Sequence, residues 1–205
     1  MSRIMEEKID KLKFPGGFDA DGHILEAADL WEKYCEAKYR PTAVRLKVDD
    51  KGFDYIEIGG RPSRVSRGGT FAGLGSMGQV TREKGEFNPR LHYGEEVLIG
   101  AMDAKQRLQR LDMEGLDAVI IYPSLGLVWE TECEDADYAQ AMCRAYNRWI
   151  VDWCSDSGGR LIPVAHLSLG DPKAAERLLA SLKDTEPMVR ARAAEALEEE
   201  WGIEI

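Results

Sequence analysis

The order of apolar and polar positions divides the chain into short, nearly continuous apolar runs and longer amphipathic stretches. Leu116-Asp117-Ala118-Val119-Ile120-Ile121-Tyr122, closed by Pro123 and Ser124, has the composition of a parallel strand covered on both faces. Before it, Leu108 and Leu111 mark the buried stripe of a short helix, which Asp103 and Gln106 open as a D-x-x-Q variant of the capping box and Gly115 closes. After it, Asp135 can cap a long helix whose Ala139, Met142, Cys143, Tyr146, Trp149, Ile150 and Trp153 recur at helical spacing and form a wide core face. Gly158-Gly159 ends that helix, residues 161–167 make another apolar strand, and Asp171-Pro172 starts a further helix. Near the N-terminus, a strand-like segment ends at His23. Residues 27–39 then read as a helix with Leu30, Trp31, Tyr34 and Cys35 on one face, stopped by Pro41. Strand–helix alternation with right-handed crossovers implies a parallel sheet or a (β/α) barrel.

Two regions leave that rhythm. Residues 44–48 and 53–58 alternate apolar with polar positions around Asp49-Asp50-Lys51-Gly52, the pattern of a β-hairpin with glycine in its turn. Residues 59–100 are rich in Gly, Arg and Ser; no GxGxxG or GxxxxGK[ST] sequence lies between strand and helix there, so a loop is favoured over a phosphate cradle. The expected organisation is α/β: a partial TIM-like (β/α)-barrel domain over 1–182 with an insertion at about 41–100, and a helical tail over 183–205. The helix–turn–helix pattern from Leu178 to Leu197 resembles one HEAT-type repeat, but helices packed on the partial barrel explain it more simply. Glu195, Glu198, Glu199 and Glu200 read as a solvated face.

Composition narrows the function. With 205 residues, 44% of them hydrophobic, the chain can bury a core, and a net charge of -10 with no basic run argues against nucleic-acid binding. No apolar segment approaches the ~20 residues needed to span a bilayer and no apolar signal core opens the chain, so the expectation is a cytoplasmic protein without membrane partners. Cys35, Cys133, Cys143 and Cys154 form no CxxC pair and read as reduced, partly buried structural thiols.

The candidate chemistry begins at Phe18-Asp19-Ala20-Asp21-Gly22-His23. Alternate residues on a strand share a face, so Asp21 and His23 can point one way and offer an oxygen and an imidazole nitrogen to one metal ion. Asp19 reads as a backbone-bonding residue, and Glu26 as either a supporting acid or part of the next helix's first turn. His166, at a strand end, can face the pocket and contact a substrate or a metal, or bond a neighbouring backbone group; His92 lies in the long loop.

Asp19-Ala20-Asp21-Gly22-His23-Ile24-Leu25-Glu26, the segment from Arg107 to Asp117 running into Ile121-Tyr122-Pro123, and Arg160 to His166 before Asp171-Pro172 together resemble the amidohydrolase-related metal-dependent hydrolases, and are similar to the aminocarboxymuconate-semialdehyde decarboxylase group. The resemblance implies a (β/α)₈ barrel with its metal at the C-terminal strand ends. It also implies Asp21 and His23 as first-strand metal ligands, His166 as a substrate contact, and a divalent cofactor, zinc first, with manganese or iron as alternatives. The implied reaction is hydrolysis or non-oxidative decarboxylation of a small carboxylic or aromatic acid. The family's later ligands, a histidine on a middle strand and an aspartate on the last, have no counterpart, and such barrels take ~250 residues. The sequence therefore carries a second expectation: a truncated or rearranged, non-catalytic chain that interacts through an exposed sheet edge and its helical tail. Homo-oligomers are expected under either reading.

Overall fold

The computed structural model describes residues 11–66, 92–95 and 97–168. Two three-stranded sheets organise them. In the first, β1 (Gly17–His23), β5 (Leu116–Tyr122) and β6 (Leu161–Pro163) lie in that spatial order, with both pairings parallel. In the second, β2 (Arg45–Val48), β3 (Asp54–Ile58) and β4 (Arg61–Pro62) are antiparallel. The parallel strands follow one another in chain order, with α2 (Ala104–Glu114) before β5 and α4 (Ala136–Cys154) before β6, as in a stretch of (β/α) barrel. Among the described residues the sheet does not close.

Local chemistry explains the boundaries. Asp103 accepts the Gln106 backbone N–H at 2.8 Å and so starts α2, while Gly115 ends it in the left-handed region at φ 77°. The Gln106 side chain faces the Gly100 N–H instead of Asp103, so the expected reciprocal box is half made. Asp135 accepts from the Asp137 and Tyr138 N–H groups and starts α4, whose Ala139, Met142, Cys143, Tyr146, Trp149 and Ile150 are buried as the spacing predicts.

Three expectations change. The helix over 27–39 shortens to α1 (Leu30–Tyr34), because Cys35 turns extended; Arg148 takes up the Tyr34 carbonyl, and Arg144 and Arg148 hold the Glu36 carboxylate. Pro41 sits in a separate 3₁₀ turn, Arg40–Thr42. The strand over 161–167 shortens to three residues, since Val164 N–H is the last to reach a β5 carbonyl, that of Ile121. On β5 only Val119 and Ile121 are fully buried, so one face is well covered and the other in part. The hairpin forms as read, with Gly52 at φ 82° in its turn, and gains β4. Most of the glycine-rich segment and everything past Ser168, including the Asp171-Pro172 helix and the HEAT-like tail, lie outside the described residues.

The core joins the layers. Trp31 on α1 meets Trp129 edge to face, and both are buried with Met142, Tyr146 and Ile150 of α4. Burying each such side chain contributes roughly 1.5–3 kcal/mol, which fixes α4 and α1 against the sheet. This packing sets the three parallel strands with their C-terminal ends on one side, where His23, Pro123 and His166 emerge.

Candidate metal centre at the strand ends

Asp21 and His23 stand at the end of β1, with Asp21 Oδ1 3.9 Å from His23 Nε2. The strand pairing is irregular between Asp19 and Gly22, where Asp19 Oδ1 accepts the Asp21 N–H at 3.0 Å. Asp19 thus takes the backbone-bonding role its position suggested. Gly22 between them is buried; a Cβ there would collide with the Val119 side chain and come within 3.0 Å of the Ile120 carbonyl, so glycine lets β1 lie close on β5.

His23 Nδ1 lies 2.8 Å from the Pro123 carbonyl oxygen. A carbonyl only accepts, so Nδ1 carries the proton, and in the neutral ring Nε2 is left as a lone pair. That lone pair faces the Asp21 carboxylate, and two acceptors face each other across 3.9 Å. A proton or a cation resolves such a pair. Donors held ~2.0–2.2 Å from one tetrahedral ion stand about 3.4 Å apart, and the Asp21 side chain, 90% exposed, is free of packing that would resist the small closure. A ligating imidazole oriented by a backbone carbonyl on its other nitrogen is the usual arrangement in metal sites. An O,N pair of this kind could hold a divalent ion, and among the described residues no third His, Cys, Asp or Glu donor joins it.

The surroundings hold that pair in place. Arg107 donates to the Gly100 carbonyl at 2.6 Å and to the His23 carbonyl at 2.5 Å, tying α2 to the end of β1. Burial pulls its guanidinium below the ordinary value, against the opposing charges of Asp19 and Glu114. Asp21, His23, Arg107, Arg110 and Ser124 share the wall of a cavity of about 400 Å³.

Glu26 is neither ligand nor helical. Its side chain is buried, and its carboxylate accepts the backbone N–H groups of Ser124 (2.8 Å), Leu125 (3.0 Å) and Gly126 (3.0 Å), while the Tyr93 hydroxyl donates to its carbonyl at 2.8 Å. Burial pushes the carboxyl above the ordinary carboxylate value despite these bonds. Glu26 thereby fixes the turn that carries Pro123, the acceptor for His23.

His166 emerges on the other side of that turn, and the structure does not bring it into the Asp21/His23 cavity. Its ring is 11% exposed, packs between Trp129 and Tyr146, and places Nε2 2.9 Å from Glu130 Oε2; Asn147 binds both its N–H and its carbonyl. His92 pairs with Asp54 at 2.7 Å, and that carboxylate raises its pKa. All four cysteines are free thiols, Cys133 partly and the others fully buried, as their spacing suggested.

No protein-family model matches the chain, and no curated protein does. Among solved structures, the fold is similar to that of an amidohydrolase from Mycobacterium avium subsp. paratuberculosis K-10, with a TM-score of 0.56 at 20% sequence identity over 89% of this chain and 56% of that one. The chain spans just over half the length of that amidohydrolase. The fold is thus amidohydrolase-like: a parallel α/β sheet of barrel type, with the candidate pair at its C-terminal edge. Among the described residues no helix is long and apolar enough to cross a membrane.

Proposed function

We propose that the chain belongs to a metal-dependent hydrolase or non-oxidative decarboxylase acting on a small carboxylic or aromatic acid, with Asp21 and His23 holding a divalent ion, zinc first. The observation that supports this most is the His23–Pro123 hydrogen bond, which leaves Nε2 bare toward Asp21. Bound there, the ion would polarise a carbonyl or lower the pKa of a water toward ~7. The chain's own residues bind and orient. Pro123 and Arg107 set the His23 ring and backbone. Arg107 and Arg110 line the cavity beside Asp19, Asp21 and Glu114, with Arg110 paired to Glu114 at 2.6 Å, so the bound ion would supply the positive charge that a carboxylate substrate needs. For His166 to contact that substrate, its ring would have to leave Glu130.

The test is to incubate metal-loaded protein with a panel of small carboxylic acids, and with their esters and amides, while measuring carbon dioxide and acid release. Turnover abolished by Asp21→Asn and His23→Ala supports the reading, and turnover indifferent to both rejects it.

A second reading is favoured by the edge of the parallel sheet. Among the described residues β1 has no partner on its outer side, and Leu12, Phe14 and Phe18 beside it are 45%, 79% and 50% exposed. An unpaired edge flanked by exposed apolar side chains favours association, with homo-oligomers as the simplest outcome. Light scattering of wild type and Phe14→Glu/Phe18→Glu distinguishes this role: an oligomer that dissociates in the variant supports it, and a wild-type monomer contradicts it.

A further inference from the structure

Beyond the β1 pair, the C-terminal side of the sheet brings together Glu130, in the 3₁₀ turn after β5 and α3 (Gly126–Trp129), Cys143 on α4, and His166 after β6. One donor atom from each lies within 4.8 Å of the others, so three separate elements bring a carboxylate oxygen, a sulfur and an imidazole nitrogen to one point. We propose that these three residues form a second metal site, separate from Asp21/His23, for a borderline transition ion of the zinc or cobalt class.

Four observations support it. The donor set mixes N, O and S, which suits zinc-like ions and not magnesium or calcium. Its members are held by the fold: Cys143 is fully buried in the core, and Asn147 clamps the His166 backbone through two hydrogen bonds of 2.8 and 3.0 Å. His166 Nε2 lies 2.9 Å from Glu130 Oε2, so the imidazole and the carboxylate of the set already meet. Glu130 and His166 also line a cavity of about 400 Å³ shared with Cys133, which gives an ion a route in and leaves room for a further ligand.

The donors need to close by roughly 1 Å to reach the spacing one ion imposes. Burial raises the Cys143 thiol, and the Glu130 carboxylate and Cys133 add to the rise. An ion at this point reverses that field, because a coordinating thiol gives up its proton. The S–H bond breaks, the sulfur–metal bond forms, the proton leaves to solvent, and no electron changes hands. The sequence spacing of Glu130, Cys143 and His166 matches no metal motif, since each residue comes from a different loop or helix.

The site is tested by titrating metal-stripped full-length protein with cobalt(II) and recording the near-ultraviolet thiolate-to-cobalt charge-transfer band, which an Asp/His pair cannot produce. The band is expected in wild type and in Asp21→Asn/His23→Ala, absent in Cys143→Ala, and weakened in apparent affinity by at least about ten-fold in His166→Ala. A wild type without the band, or a band that survives in Cys143→Ala, overturns the proposal. Glu130→Gln, at a partly exposed position, serves if the buried variants fail to fold: a loss of at least about ten-fold in cobalt affinity with an unchanged circular dichroism spectrum supports the site, and unchanged affinity overturns it.

Discussion

His23 donates its Nδ1 proton to the Pro123 carbonyl oxygen at 2.8 Å, joining the ends of two adjacent parallel strands. The bond fixes both ring orientation and tautomer, which is the preparation a metal-binding imidazole needs. Long-range proton–nitrogen correlation NMR of metal-free protein, above the histidine titration, should therefore show His23 in the Nδ1–H tautomer. An Nε2–H tautomer would contradict the arrangement.

Arg107 touches His23 through the backbone and leaves its ring alone. It holds the His23 and Gly100 carbonyls, so Arg107→Gln loosens the strand end while leaving both metal donors in the chain. The expected effect is a loss of about 10-fold in affinity for the ion at Asp21/His23, measured by competition with a chromophoric chelator. Unchanged affinity in a folded variant would show that the arginine only braces α2.

Gly22 separates the two candidate ligands and has no room for a side chain. Gly22→Ala should destabilise the protein by about 1–3 kcal/mol through contact with Val119 and the Ile120 carbonyl. Gly52→Ala is the control: its φ of 82° is strained for alanine but its surroundings are open, so about 1–2 kcal/mol is expected from backbone strain alone. Urea unfolding of both variants measures the difference, and the two should separate further in metal affinity, which only Gly22→Ala should reduce.

Glu26 makes stability depend on pH. Its folded pKa is raised above the ordinary 4.5 by burial, so the folded state keeps a proton that the unfolded chain has already lost. This contribution is full below the unfolded pKa and is lost as pH rises through the folded value. Urea melts from about pH 4 upward should show that decline in wild type and a flatter profile in Glu26→Gln. Glu26→Ala, which strips three backbone N–H groups of their acceptor, should cost roughly 2–4 kcal/mol at low pH and less as pH rises.

Much of the architecture was legible from apolar spacing. The strand over Leu116–Tyr122 forms as expected, though only one of its faces is fully covered, and the α4 face from Ala139 to Ile150 is buried as its period predicts. Helix α1 ends early because Arg144 and Arg148, more than a hundred residues away, take up the Tyr34 carbonyl and the Glu36 carboxylate, and no local pattern encodes that contact. The Asp21/His23 pair was visible because strand alternation places two donors together. The Pro123 acceptor was not, since the Pro123 carbonyl is a backbone group carrying no residue signature. The sequence leaves Glu26 as a supporting acid or a helix residue; its role in fixing the 123–126 turn depends on strand pairing that brings N–H groups 98 to 100 residues away onto one carboxylate. His166 drew attention by its position at a strand end, but Trp129, Tyr146 and Glu130 decide where its ring lies.

Metal stoichiometry measures the central claim most directly. Purified full-length protein, stripped and then equilibrated with zinc, should lose about one equivalent of tightly held ion on either Asp21→Asn or His23→Ala, with the fold unchanged by circular dichroism. Binding that is the same in wild type and in both variants would contradict the assignment of these residues as a metal pair.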